Sequence, residues 1–226
     1  NVGEAGIDRR GINAAINALL VMGRRALADL EEALGNRARA AELRAMADEM
    51  AGKIAKRFLS PADGLFHDGE HDGQLLPQVS EQTNTWAIAA GCADSQQART
   101  ILLKLLTEDD PSVARNGPYF WTYLFPLLNE LDLHQIGCEK IRKAWGKMVD
   151  AESSTLWETF KGDNLDSWCH PWSSAPAEFL LTGILGLPAS CLPGETITLR
   201  PRYDLISEAG GRIMTAAGAI SVAWKT

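Results

Sequence analysis

Between residues 12 and 58 apolar side chains recur every three or four positions. Ile12, Ile16, Leu19, Leu20, Leu27, Leu30 and Leu34 form one stripe, and Leu43, Met46, Met50, Ile54 and Phe58 form another. That is the period of a helix with one inward face, and it predicts helices over 8–34 and roughly 37–59. Gly35 is suited to stop the first and Asn36 to cap the second. Two long helices joined by so tight a turn make an antiparallel hairpin. A chain that opens this way must bury helix against helix.

The same reading extends along the chain. A third helix is expected over 81–92. Asp94-Ser95-Gln96-Gln97 reads as a capping box opening a fourth through Leu106, broken at Asp110-Pro111. The polar connection over 60–78 is long for a compact domain, so it is either functional or a plain surface loop. Asn116-Gly117-Pro118 opens an element dense in aromatics (Tyr119, Phe120, Trp121, Tyr123), where Pro126 predicts a kink or a later helix start. Residues 133–149 read as a helix with Ile136, Ile141, Ala144, Trp145 and Met148 inward. Ser173 or Ser174 is expected to cap a last helix, with Pro176 in its first turn. From 194 the period shifts to two, predicting strands at 196–200 and 220–224, too few for a stable sheet of their own. Successive hairpins suggest an α/α toroid or a solenoid, and uneven repeat lengths weigh against a repeat array.

Composition removes several classes of function. The 226 residues carry a formal charge of −7, with Lys and Arg scattered through helical segments, which argues against nucleic acid. Cys92, Cys138, Cys169 and Cys191 are too widely spaced for a zinc knuckle or a disulfide framework, and read as buried free thiols. The longest apolar run, 179–192, is broken by Gly183, Gly186 and Pro188 and is too short to cross a bilayer. No cofactor or metal motif is recognisable, so neither is expected.

Chemistry-bearing residues are densest from Thr155-Leu156-Trp157-Glu158-Thr159-Phe160 to Trp172. Here Glu158 follows a Trp, Trp157, Trp168 and Trp172 cluster, His170 sits among them, and Asp163 and Asp166 lie between. Flat aromatic faces cover the C–H faces of a sugar ring, and a carboxylate accepts from hydroxyls or takes a proton from water. The competing reading is an amphipathic loop whose Trp residues fill gaps between helices, and the residues alone leave both open.

Two blocks carry a family resemblance. Trp145-Gly146-Lys147-Met148 with Ser154-Thr155-Leu156-Trp157-Glu158, and then Ser167-Trp168-Cys169-His170-Pro171-Trp172-Ser173-Ser174-Ala175-Pro176, resemble consecutive motifs of bacterial α-L-rhamnosidases of glycoside hydrolase family 78. Gln82-Thr83-Asn84, Pro118-Tyr119-Phe120, Ile184-Leu185-Gly186 and the run 194–224 match in the same order. One departure is Pro171, where the family commonly has Gly. The resemblance implies a mainly α fold, part of an (α/α)6 barrel of six-hairpin glycosidase type, followed by a few strands of a C-terminal β-sandwich. It places the second half of the barrel at 1–190 and the start of the β domain at 191–226. It therefore implies an internal fragment with the rest of the parent chain as its partner, in keeping with a start at Asn1 rather than Met. The implied reaction is inverting hydrolysis of terminal α-L-rhamnosides, which needs a carboxylic acid and a carboxylate base on opposite sides of the sugar. By motif Glu158 matches the base and His170 a histidine that contacts the sugar; Trp157, Trp172, Tyr119 and Trp121 are expected as walls of the subsite. The family's acid motif has no counterpart here. Asp8-Arg9-Arg10 is only superficially similar, which keeps open an inactive carbohydrate-binding protein or a helical scaffold with no sugar function.

Overall fold

The structure is a computed structural model and describes residues 6–162, 167–188, 196–216 and 218–226. It forms two compact units, Asn1–Asn116 and Gly117–Thr226. The chain is mainly helical with a few strands, as expected.

In the first unit the hairpin is present as α1 (Ala14–Ala33) and α2 (Arg37–Phe58). Helix α1 starts six residues later than expected because Asn13 caps it, its Oδ1 accepting from the Ile16 N–H at 2.9 Å. Ile12–Asn13 is instead strand β1, paired with β2 (Gly69–His71), which pairs in turn with β3 (Gln74–Leu75). The close approach requires Gly69, where a Cβ would lie 2.5 Å from the Ile12 carbonyl oxygen.

The expected inward face of α1 is reversed. Ile12, Ile16, Leu19, Leu20, Leu27, Leu30 and Leu34 are all exposed, while Ala14, Ala15, Ala18, Val21 and Ala28 are buried. Small side chains let helix backbones approach closely, and Ala28, Ala40 and Leu43 form one buried cluster. On α2, Leu43, Ile54 and Phe58 point inward as expected, but Met46 is exposed. Asn36 makes no capping bond, and its amide donates to Glu31 instead.

The connection over 60–78 is tied down from within. Asp68 is fully buried, and its carboxylate accepts from the Ser80 hydroxyl at 2.6 Å, the Thr83 hydroxyl at 2.7 Å and the Asp8 N–H at 2.9 Å. Ser80 also caps α3 (Glu81–Ala89). Asn84 bonds both the N–H and the carbonyl of Phe66. Strand β4 (Val79–Ser80) pairs in parallel with β5 (Val113–Ala114). Helix α4 (Ser95–Thr107) begins at the expected cap, Asp94 accepting from the Gln97 N–H at 2.8 Å.

In the second unit a 3-10 turn, Pro118–Phe120, leads into α5 (Trp121–Glu130), which runs through the exposed Pro126. Helix α6 (His134–Lys140) continues through a π-helical turn, Ile141–Trp145, into α7 (Gly146–Asp150), with Trp145 and Met148 inward. After the 3-10 turn Pro171–Ser174 comes α8 (Ala175–Phe179), then a second π-helical turn, Leu180–Ile184. The Phe179 ring stacks on Phe125 with centroids 4.6 Å apart and fills the space that a Cβ on Gly137 would need. Neither Ser173 nor Ser174 caps this helix, because the buried Ser173 hydroxyl donates to the Trp157 carbonyl at 2.5 Å.

Two further expectations are corrected. Residues 196–200 form no strand. The partner of β7 (Gly218–Lys225) is β6 (Glu208–Thr215), where Gly210-Gly211 had masked the alternation. Cys92 and Cys138 are buried thiols, but Cys169 is exposed; Cys191 lies outside the described residues. Among the described residues no helix is long and apolar enough to cross a membrane.

Candidate active site

Backbone pairing brings Glu158 and His170 together. The Glu158 N–H donates to the Ser167 carbonyl and the His170 N–H to the Leu156 carbonyl, both at 2.8 Å. The Thr155 hydroxyl adds a bond to the Trp168 carbonyl. The two arms, 155–158 and 167–170, thus run side by side. The Glu158 carboxylate accepts from the Ser167 N–H at 3.2 Å, and its Oε2 lies 4.0 Å from His170 Nδ1.

Pro171 fixes the backbone at this point. A residue before proline is driven to the extended region, and His170 has φ −126° and ψ 101°. Pro171 itself opens the 3-10 turn, where its missing N–H is no loss. Proline at this position pre-organises the turn.

The expected subsite residues separate into two groups. Trp172 and Tyr119 are exposed and adjacent, with ring centroids 5.5 Å apart, and Trp172 lies 4.3 Å from the His170 ring at 34°. The Tyr119 and Tyr123 hydroxyls are hydrogen-bonded at 2.8 Å, which raises the Tyr123 pKa above its ordinary value. His170, Trp172, Tyr119 and Tyr123 therefore make a continuous aromatic surface beside Glu158. Trp157 and Trp121 are buried. Trp157 packs against Trp168, its indole N–H donating to Ser153 at 3.1 Å, and needs Gly162, where a Cβ would come within 2.4 Å of the ring. Trp121 packs edge-on to Trp145 and against Phe125 in the core. Trp157 supports the segment that carries Glu158, and Trp121 supports α5. Asp163 and Asp166 lie outside the described residues.

Sequence reasoning named Tyr123 among the clustered aromatics without placing it in the subsite, and passed over the Ser167 N–H. The first had a signal: Tyr119 and Tyr123 are four residues apart, the spacing that stacks side chains on one helical face. The second, a backbone donor, leaves no mark in side-chain pattern. Asp8, within the fragment that superficially resembled an acid motif, is buried and held by Arg10 through a bidentate ion pair at 2.6–3.1 Å. Among the described residues no cluster of three or more His, Cys, Asp or Glu side chains could hold a metal.

Residues 3–145 match the family described as the mannosylglycerate hydrolase MGH1-like glycoside hydrolase domain; Glu158 and His170 fall after that stretch. No curated protein sequence matches the chain. Among solved structures, a GH78 family rhamnosidase of Bacillus sp. GL1 superposes with a TM-score of 0.84 over 95% of this chain at 26% identity. The chain spans only 24% of that protein. A rhamnosidase from Klebsiella oxytoca, solved with rhamnose bound, shares the fold over 79% of this chain and 38% of its own, with a TM-score of 0.64 and 22% identity.

Proposed function

Because the chain belongs to the MGH1-like glycoside hydrolase domain family, we propose that it carries part of the active site of a rhamnosidase-type glycosidase, one that hydrolyses terminal α-L-rhamnosides with inversion. Glu158 is the general base. His170, Trp172 and Tyr119 bound the sugar, with Trp157 and Trp121 holding the segments beneath them. The observation that carries this reading is a partly exposed carboxylate, steadied by a backbone N–H, beside a run of exposed aromatic rings. Hydroxyls need an acceptor and sugar C–H faces need flat apolar surface, and this arrangement offers both.

The general acid is proposed to come from the rest of a parent chain, since the Asp8 carboxylate is already committed to Arg10. The exposed apolar side of α1 supports such a parent. Ile16, Leu20, Leu27, Leu30 and Leu34 keep the heptad spacing of a helix-packing seam, with Gly23 at the one intervening seam position. Further barrel helices would cover it. The division into a helical domain over 1–190 and a β domain from 191 is kept as part of the same proposal. The missing acid is also the observation that favours a second reading, a carbohydrate-binding protein that does no chemistry.

The test is hydrolysis of an aryl α-L-rhamnoside by the parent protein, wild type against Glu158→Gln. Loss of a general base lowers turnover on the order of 10²–10⁴-fold, and that loss with the fold retained is the expected result. Normal turnover in Glu158→Gln would remove Glu158 from the mechanism. An inactive wild type that still binds rhamnose would favour the binding protein.

A further inference from the structure

His170 Nδ1 is buried and finds no hydrogen-bond partner among the described residues. Buried polar nitrogens without a partner are rare, because the lost hydration is not replaced. Among the described residues its nearest acidic atom is Glu158 Oε2 at 4.0 Å, beyond the reach of a direct hydrogen bond. Two polar atoms at that separation can both bond one water at ordinary hydrogen-bond lengths of about 2.8 Å, with the water off the line between them. The imidazole is held in place, since its ring packs against Trp172 at a 34° tilt and its backbone is held by Leu156 and by Pro171.

We propose that His170 Nδ1 and Glu158 Oε2 together hold the attacking water, which makes His170 a positioning residue for the nucleophile as well as a neighbour of the sugar. The inference rests on the glycosidase reading above. The water donates one proton to Glu158 Oε2 and the other to Nδ1 of an imidazole protonated at Nε2, leaving a lone pair free to attack. Glu158 takes its proton as the new bond to the anomeric carbon forms. The bond from that carbon to the leaving oxygen breaks, and a carboxylic acid of the parent chain protonates that oxygen. The Nε2 edge remains for the sugar.

The kinetic test uses the parent protein and an aryl α-L-rhamnoside, comparing His170→Ala, His170→Asn and His170→Gln. The Asn amide falls near the position of Nδ1, whereas the Gln amide falls near Nε2. His170→Ala should lower kcat on the order of 10–100-fold, the cost of a misplaced reactant. His170→Asn should recover most of kcat without recovering KM, and His170→Gln should not recover kcat. A rise in KM alone, with kcat unchanged in His170→Ala, would overturn the proposal and leave His170 as a sugar contact. Equal recovery by Asn and Gln would overturn it as well. A high-resolution crystal structure of the 226-residue chain decides the point even if the parent turns out not to hydrolyse rhamnosides. An ordered water within about 3 Å of both atoms, lost in His170→Ala with Glu158 unmoved, is expected. A direct contact between His170 and Glu158, or a water on neither atom, would overturn it.

Discussion

Asp68 in the first unit and Glu158 in the second are both carboxylates steadied by nearby chain, and they differ in what is left over. Asp68 is fully buried and accepts two hydroxyls and a backbone N–H. Glu158 has 36% of its side chain exposed. Among the described residues only the Ser167 N–H bonds it, and it faces a histidine nitrogen that finds no partner there. A saturated carboxylate fixes the elements around it. An unsaturated one can accept from something that is not protein, which is what a site requires. Asn116 departs from this contrast: it is buried in the first unit, its N–H bonds Glu81, and neither atom of its side-chain amide finds a partner among the described residues.

The contrast is broken or sharpened most directly by truncating both acids. Asp68→Ala strands two hydroxyls and an N–H in the interior, each worth about 1–3 kcal/mol when left unmade. A stability loss of at least about 3 kcal/mol follows. Glu158→Ala should change stability by less than about 0.5 kcal/mol, as for other substitutions outside the core. Urea denaturation of the 226-residue chain reads both. Equal losses would mean that Glu158 is part of the framework and would weaken its assignment as base.

A contrast of the same kind separates the two sides of α1, and here the sequence misleads in an instructive way. Helix, hairpin turn and the Asp94 cap were all legible, because periodicity and capping are local properties. Which side faces inward is not local. The leucine-rich stripe looked like core, yet the hairpin closes on alanines, since the spacing between α1 and α2 selects small residues. In the site, Glu158 and His170 were legible as residue types, but their register depends on backbone pairing between 155–158 and 167–170, which no side chain announces. Trp121 and Trp172 were indistinguishable by type, and only packing makes one core and the other surface. Ala18→Leu should therefore overpack α1 against its neighbours and cost about 1–3 kcal/mol. Leu27→Gln, on the exposed side, should cost less than about 0.5 kcal/mol in this chain. In a parent that covers the stripe, Leu27→Gln should cost about 1.5–3 kcal/mol, the value of burying a leucine. A large cost of Leu27→Gln in the isolated chain would mean that the stripe is already buried, by self-association.

The smallest effect separates two buried acids of the first unit, Asp8 and Asp68, by their response to pH. The bidentate bond to Arg10 lowers the Asp8 pKa from 3.8 to about 2. Its contribution is therefore complete above about pH 4 and is lost as the pH falls toward 2. Burial works the other way on Asp68 and raises its pKa, outweighing the hydroxyls that favour the charged form. The fold favours protonated Asp68, so its contribution is greatest at low pH and declines as the pH rises through its raised pKa. Arg10→Ala should flatten the fall in melting temperature between pH 4 and pH 2, because the Asp8 part of that fall disappears. Asp68→Asn, which cannot titrate, should act above that range, abolishing the decline in stability that sets in as the pH rises above the ordinary 3.8. An unchanged slope in Arg10→Ala would show that Asp8 is not held by Arg10 in solution. It would then reopen Asp8 as a carboxylate with capacity to spare, the property that otherwise distinguishes Glu158.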